Sequence, residues 1–384
     1  MTSRRGALRI LLIAALAAAG CGGGGSAGED SEAPAAASPD TVEIAVVDTI
    51  GVMTGDSAYV FGNITEAEVA PDGRIYVLDG LLTRVCVYSR HGEFLESAGR
   101  RGSGPGEFLY PRSMALQHDG SLVVSDWPGA TITYLNSDLT FDTLLAGFGQ
   151  LSPHAVDPLP DGGYIGGDLE YRMGDDGPEG DLYVARYGRG VEPEKVLWRW
   201  PLTIVTEEHG GERDVYVYNA ETVRDTGPDG TVYMAISSDT TWSFAGFTPD
   251  GDTVLSVEKA WEPVPKTARE LEEGEYSESL SWNDEGGSSI SRGRRTEGIS
   301  PWRTAISSLD VDHMGRIWVG QGWIDVPTFE VYSPQGELLF VASVPGLEDT
   351  EGIQYAMGEG GMVGYDTEPM DYPKVYLLRP EQTL

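Results

Sequence analysis

The segment Pro71-Asp-Gly-Arg-Ile-Tyr-Val-Leu-Asp79 combines a turn that ends in glycine, a short apolar strand and a closing aspartate. The pattern returns twice in succession, as His118-Asp-Gly-Ser-Leu-Val-Val-Ser-Asp126 and as Pro160-Asp-Gly-Gly-Tyr-Ile-Gly-Gly-Asp168. Weaker copies contain the glycines of three later turns: Gly230, Gly315 and Gly361. A glycine turn followed by a run of β-forming residues predicts a strand that enters a hairpin. The chain is therefore built from repeated β units.

The spacing of these turns gives the size of the repeat. Successive turn glycines are separated by 47, 42, 68, 85 and 46 residues. Three of these intervals match one propeller blade of four short strands. Further strand–turn–strand segments at 85–95, 244–257 and 329–341 supply the third and fourth strands of three blades.

The longest interval contains an insertion and not a seventh blade. The segment 244–257 belongs to the blade that begins at Gly230, so residues 258–300 are surplus to that blade. Within the surplus, residues 266–280 are acidic and free of proline, which predicts a helix although the apolar spacing is irregular. A smaller surplus lies between Gly162 and Gly230.

A ring of six blades has to close, because an open sheet leaves two unpaired edges. The last blade offers three strand candidates, at 352–357, 361–366 and 374–378. Residues 41–48 alternate like a strand and have no blade of their own. We therefore predict an all-β, six-bladed propeller in which this N-terminal strand completes the last blade. A partly helical insertion lies between blades four and five.

The first forty residues predict export from the cytoplasm and attachment to a membrane. Three arginines precede a ten-residue apolar run at 10–19, which is too short to span a bilayer as a helix and is typical of a signal peptide. Small residues then lead to Cys21, an ending that resembles the bacterial lipobox. The resemblance implies that residues 1–20 are removed and that Cys21 carries diacylglycerol; an ordinary signal peptide cut nearby is the alternative. Residues 21–40 predict a flexible tether, which leaves 41–384 for the propeller.

Charge and the residue after Cys21 narrow the partners and the location. The chain has 26 basic and 61 acidic residues, a net charge of −35, which excludes nucleic acid and docking on anionic headgroups. We expect membrane contact through the lipid anchor only, and a monomer. Gly22 stands where an aspartate would resemble an inner-membrane retention signal, so we expect the outer membrane of a bacterium.

The first two blades also resemble a known repeat. Gly104-Pro-Gly-Glu-Phe108, Pro111, Asp119-Gly120 and Leu122-Val-Val-Ser-Asp126 look like the NHL repeat. The chain as a whole resembles six-bladed NHL-type propeller lipoproteins of bacteria, closely in these two blades and loosely in the others. Some six-bladed relatives are lactonases or lyases with a metal at the channel, but their ligands cannot be matched residue by residue to this chain. We expect no cofactor and no metal.

The other motifs favour structural roles. None of the five histidines has a zinc-type spacing, and the sequence contains no G-x-S-x-G elbow. Cys86 lies in an alternating strand, which predicts a buried thiol. Asp79 and Asp126 are typical of turn residues that accept backbone N–H bonds. The glycine-rich segment 99–108 is followed by a strand and not a helix, which predicts an inter-blade loop instead of a phosphate site.

The candidate binding face carries the starts of the inner strands, opposite the Asp-Gly turns. Its candidate residues differ in chemistry, as a binding site should: Arg112, His154, Glu221, Arg224, Trp302, Arg303, Gln321 and Trp323. Tryptophan and arginine are frequent interface anchors, although the tryptophans could instead pack between blades. The sequence favours a non-catalytic module that binds a protein, peptide or glycan of the cell envelope. A channel-centred, metal-dependent hydrolase or lyase, similar to the lactonases, is the alternative.

Overall fold

The computed structural model describes residues 40–126, 130–148, 152–174, 177–201, 203–209, 212–218, 222–282, 288–295, 299–321, 326–347, 352–367, 369 and 371–381. Cys21, the signal segment and nearly all of the tether lie outside these ranges. Within them the chain forms 28 β-strands and one helix of six residues. No helix in the described ranges is long and apolar enough to cross a bilayer.

The first half of the described chain contains the N-terminal strand, three blades and a hairpin. The N-terminal strand is β1 (Asp40–Ile50). Blade one consists of β2 (Ile64–Val69), β3 (Ile75–Asp79), β4 (Arg84–Tyr88) and β5 (Phe94–Ala98). Blade two consists of β6 (Pro111–Leu116), β7 (Leu122–Asp126), β8 (Thr131–Leu135) and β9 (Phe141–Ala146). Blade three consists of β10 (His154–Pro158), β11 (Tyr164–Gly174), β12 (Gly177–Tyr187) and β13 (Lys195–Pro201), and the hairpin β14 (Thr203–His209) and β15 (Glu212–Tyr218) follows it.

The second half contains three blades and the insertion. Blade four consists of β16 (Thr222–Thr226), β17 (Val232–Ile236), β18 (Trp242–Phe247) and β19 (Thr253–Lys259). The insertion contains α1 (Ala268–Glu273) and the hairpin β20 (Glu275–Trp282) and β21 (Ser288–Arg295). Blade five consists of β22 (Ile306–Val311), β23 (Ile317–Gln321), β24 (Thr328–Tyr332) and β25 (Leu338–Ser343). Blade six contributes β26 (Ile353–Gly358), β27 (Gly361–Asp366) and β28 (Val375–Pro380).

The turns that connect the inner and second strands require glycine. Gly73 has φ +86°, and the corresponding glycines of blades two to five have φ between +76° and +85°. In blade one the turn is closed by the Gly73 N–H, which donates to the Ala70 carbonyl at 2.9 Å. A side chain at such a backbone conformation is strained, so the glycine that defines the repeat is a steric necessity.

The aspartates that end the second strands hold the chain that enters the inner strand. Asp79 is fully buried and accepts the backbone N–H groups of Gly62, Asn63 and Leu82 at 2.9–3.1 Å. Asp126 accepts the N–H groups of the two residues before β6 in the same way. The prediction that these residues are turn acceptors is confirmed. The side chain of Asp168 lies outside the described part.

The N-terminal strand completes blade six. β1 pairs antiparallel with β28, from Ile44 opposite Pro380 to Ile50 opposite Val375, with a register shift between Val46 and Asp48. This pairing confirms the predicted closing strand. The first residues of β1 also pair in parallel with β25, from Asp40 opposite Phe340, so blades five and six share one eight-stranded sheet. The sequence did not predict that second pairing.

The insertion is less helical than predicted. Thr267 caps α1 in a capping box with Glu270, and Gly274 at φ +75° ends the helix. The prediction of a helix is wrong for residues 275–280, which belong to β20. Serines at 277, 279 and 281 alternate with larger residues there, a period of two that suits a strand. The smaller surplus is the β14–β15 hairpin.

The blades pack against one another through apolar side chains. Tyr76 and Leu78 of β3 pack with Phe108, Met114 and residues of blade two in one buried cluster. Cys86 is fully buried in the cluster that joins blades one and six, as predicted for this thiol. The segment 99–108 connects β5 to β6, which confirms it as an inter-blade loop.

Candidate functional site

The six inner strands surround a cavity of about 630 Å³, which we call the central channel. Its lining extends from the starts of the inner strands, at Thr65 and Arg112, to the Asp-Gly turns, at Pro228 and His313. We call the two ends the strand-start face and the turn face. The volume lies within the range of small-molecule and peptide side-chain sites.

The wall of the central channel is acidic. Seven carboxylic acids line it: Glu66, Glu68, Asp157, Asp225, Asp310, Asp312 and Glu359. Two guanidinium groups, those of Arg112 and Arg224, line it as well. With every group ionised, negative charge would therefore exceed positive charge on the wall.

Four of these seven acids occupy the same place in the repeat. Glu68, Asp157, Asp225 and Asp310 each stand five residues before the turn glycine of their blade. Each is the second-last residue of its inner strand. We call these four residues the acid ring. Blade two has Ala115 at this position.

Polar bonds of the channel wall connect the first three blades and blade six. The Tyr365 hydroxyl of blade six donates to Glu66 of blade one at 2.7 Å. The Ser113 hydroxyl of blade two donates to Glu66 at 3.4 Å and accepts the Val156 N–H of blade three at 2.9 Å. Glu66 and Ser113 are therefore engaged in holding the ring together.

Further polar bonds, which involve members of the acid ring, connect blades three, four and five. Arg224 of blade four donates from Nε to Asp157 Oδ2 of blade three at 2.7 Å and also donates to the Ala155 carbonyl. Asp225 accepts the Val311 N–H of blade five at 2.7 Å. The arginine side chain is only 4% exposed, so it serves as an internal counter-ion in the channel wall.

Enclosure by the blades shifts the acids toward their neutral forms. Burial, assisted by the charges of Asp157 and Asp225, raises the pKa of Glu66 to about 8 against the opposing bond from Tyr365. Burial and the charge of Asp157 raise the pKa of Asp225 to about 7. Burial raises the pKa of Asp157 to about 6 although Arg224 opposes the shift.

The other two members of the acid ring shift in the same direction. Burial, followed by the charges of the neighbouring acids, raises the pKa of Glu68 and of Asp310 well above the usual range. The channel therefore retains protons near neutral pH. A bound cation would favour the ionised forms and displace those protons.

Two of the predicted site residues reach the channel and three described ones do not. Arg112 and Arg224 line it. Trp302 is 40% exposed and lies outside the lining. Arg303 makes a two-pronged ion pair with Glu270 of α1, both bonds at 2.9 Å. Gln321 donates to Glu330 at 3.0 Å.

The other predicted residues cannot be placed as side chains. His154 begins β10, but its side chain lies outside the description, as do Glu221 and Trp323 altogether. Sequence reasoning missed the acid ring. Its signal was an acid at a fixed distance before four of the turn glycines.

Comparisons with known proteins support the fold. A family model described as a six-bladed β-propeller (DUF5128) matches residues 42–142, which include β1, blade one and part of blade two. The chain is an all-β propeller. No curated protein matched the sequence.

Solved propeller structures are similar to the chain at low sequence identity. An exported protein of Bacteroides fragilis is 13% identical, with a TM-score of 0.48 over 89% of this chain and 100% of that chain. Virginiamycin B lyase of Staphylococcus aureus is 12% identical, with a TM-score of 0.41 over 86% of this chain and 99% of that chain. Regucalcin of Agrobacterium tumefaciens, a calcium-binding protein, is 10% identical, with a TM-score of 0.39 over 89% of this chain and 97% of that chain.

Proposed function

We propose that this propeller is a non-catalytic binding module that holds a cationic ligand in its central channel. The observation that carries the proposal is the acid ring, which places four carboxyl groups around one level of a cavity of about 630 Å³. Arg224, the cation that pairs with the ring, is already bonded to Asp157. An enclosed wall with excess acid attracts positive charge, because a low-dielectric surround strengthens each charge interaction.

The size of the channel narrows the ligand classes that the sequence left open. A folded protein domain is too large for such a cavity, whereas a peptide side chain or a short peptide fits it. A neutral glycan could donate hydroxyl hydrogen bonds to the carboxyl groups but would gain nothing from their charge. A cationic peptide is therefore the ligand class that best satisfies both volume and charge.

Thermal unfolding with matched ligands tests this proposal. Three capped tripeptides that differ only in a central Lys, Gln or Glu should give a rise in Tm for the Lys peptide alone, because a ligand stabilises the state that binds it. Glu68→Gln removes one ionisable acid from the channel and should reduce that rise. Glu96→Gln removes one from the exposed outer strand of the same blade and should not.

A result independent of charge would contradict the proposal. Equal shifts from all three peptides, or equal effects of the two variants, would show that the acid ring does not select the ligand.

The hydrolase or lyase alternative makes a different prediction. Among the described residues, no three His, Cys, Asp or Glu side chains are arranged to hold a metal. Ser113 is 2% exposed, and its hydroxyl links two blades. Stoichiometric metal that EDTA removes together with turnover of a lactone or ester would favour the enzyme over the binding module.

We also propose that the module is anchored to a membrane by a lipid. Cys21 follows the apolar run and small residues that resemble a lipobox, and a lipid on it would anchor the propeller to the outer membrane through the tether. Cys21→Ser should move the chain from the membrane fraction to the soluble fraction. Retention of this variant in the membrane pellet, with no labelled palmitate in the wild type, would contradict lipid anchoring.

A further inference from the structure

Polar atoms without partners lie at several places in the channel wall, among them Gln117 Oε1 and Thr226 Oγ1, and one arc brings two of them together. Asp310 of blade five has an enclosed Oδ2 atom with no hydrogen-bond partner, and the hydroxyl of Tyr355 in blade six is enclosed in the same way. Tyr355 as a whole is only 9% exposed. Glu68 of blade one makes no hydrogen bond with its carboxyl group within the described residues. These three residues lie on the inner strands of consecutive blades, and all three line the central channel.

This arc differs from the rest of the ring. Between the other pairs of neighbouring blades, polar side chains of the channel wall bridge the junction, as in the bonds of Tyr365 to Glu66 and of Arg224 to Asp157. Within the described residues, no such bond bridges the inner strands of blades five and six. A buried polar atom without a partner is costly, and a bound water or ion is one of the ways in which native structures satisfy such an atom. The break in symmetry therefore marks a ligand subsite.

The chemistry of the arc selects the cation. The nearby Ser308 hydroxyl opposes the rise in the pKa of Asp310, and the Asp310 Oδ2 atom has no partner, so this oxygen is left for a ligand. The arc thus offers acceptors on three separate blades, whereas a planar guanidinium is best satisfied by the two oxygens of one carboxylate. An ammonium group has three N–H donors on one point charge, which matches three separate acceptors.

We propose that a primary ammonium group binds between Asp310, Tyr355 and Glu68, where blades five, six and one meet. This inference rests on the proposed function and specifies its ligand class. The group could belong to a lysine side chain, to a peptide amino terminus or to a small amine. Glu68 and Asp310 lie near the turn ends of their strands, so the subsite is closer to the turn face of the channel.

Calorimetric titration of the purified chain tests the subsite. The probes are a tripeptide capped at both ends with a central Lys, the same peptide with trimethyllysine, the same peptide with Arg, an Ala tripeptide with a free amino terminus, and 1,5-diaminopentane. The lysine probe should bind at least about tenfold more tightly than the trimethylated one, because the latter keeps the charge and lacks the donors. The free amino terminus and the diamine show which source of the ammonium group fits.

Two variants and a matched control locate the subsite. Asp310→Asn should weaken the lysine probe about tenfold or more, and Tyr355→Phe, which removes only the hydroxyl, about threefold. Asp225→Asn neutralises another acid of the ring, one that already accepts the Val311 N–H, and should have a smaller effect than Asp310→Asn. If Asp310→Asn fails to fold, the lysine and trimethyllysine probes still decide the question on the unmodified chain.

The outcomes separate this inference from the proposed function. Equal losses in Asp310→Asn and Asp225→Asn, or equal binding of the lysine and trimethyllysine probes, would overturn the ammonium subsite and leave a channel that attracts charge alone. Tighter binding of the arginine probe, or stoichiometric Ca²⁺ lost in Asp310→Asn, would overturn the assigned ligand class. No binding of any cationic probe would overturn the proposed function itself.

Discussion

At the scale of single residues, the enclosed acids of the channel are unusual for a protein interior. Acidic side chains are rarely enclosed without a counter-ion, because the charged form loses its hydration. In Glu66 the lost hydration is compensated by hydrogen bonds from Tyr365 and Ser113. Its raised pKa also favours the neutral form. Asp157 is compensated by Arg224. The acids without such compensation, Glu68 and Asp310, belong to the arc assigned to a ligand.

These shifts predict how stability depends on pH. The pKa of Glu66 is about 8 in the folded chain against an ordinary 4.5, and that of Asp225 is about 7 against 3.8. The folded state therefore binds more protons than the unfolded state between those values. Linkage then requires the contribution of these two acids to the free energy of unfolding to be fully present at about pH 4 and to be lost as pH rises to about 8. Urea unfolding at about pH 5, 6, 7 and 8 measures this slope.

A matched variant isolates the contribution of the channel. General repulsion in a chain of charge −35 also weakens stability as pH rises, so the difference between two slopes is informative. Glu66→Gln resembles the protonated acid and should flatten the slope by up to about 1.4 kcal/mol per pH unit. Identical slopes in wild type and variant would show that Glu66 titrates normally.

At the scale of the elements, the sequence predicted what backbone geometry requires. The turns must contain glycine because φ is positive there, so the repeat could be identified from the sequence alone. The strand at 41–48 could also be predicted, because an alternating segment without a blade of its own can pair with the open edge of the last blade. Its parallel pairing with β25 was not, because that contact depends on how blades five and six approach each other.

The insertion and the candidate site show which features local sequence patterns do not predict. Residues 266–280 lack proline and are acidic, yet Gly274 ends the helix after six residues and a hairpin follows. The sequence suggests that Arg303 is an exposed anchor, but in the structure it is paired with Glu270, which lies 33 residues earlier in the chain. The acid ring requires knowledge that several inner strands face one cavity. The fold was therefore predictable from short-range sequence, whereas most of the site depends on long-range geometry.

At the scale of the whole molecule, one strand joins the beginning of the domain to its end. β1 covers the edge of β28 and pairs with β25, so it connects blades five and six as well as closing blade six. Ile44 packs in the cluster that includes Trp318 and Leu378, and Ile50 packs in the cluster of blades six and one. Both isoleucines are at least 98% buried. The arc assigned to the ammonium group lies among the same three blades.

Removal of β1 should therefore open the ring. A chain that begins at residue 40 should unfold cooperatively, whereas one that begins at residue 51 should expose the β28 edge and lose the burial of both isoleucines. Each isoleucine contributes about 1.5–3 kcal/mol by burial, and with the lost strand pairing the total is comparable to the stability of a typical domain, about 5–15 kcal/mol. Thermal unfolding and gel filtration should show a lower Tm and association through the open edge. A synthetic peptide of residues 40–50 should restore the Tm, and the same peptide with Ile44→Asp should not. Equal Tm values for the two chains would mean that the six blades hold together without their N-terminal strand.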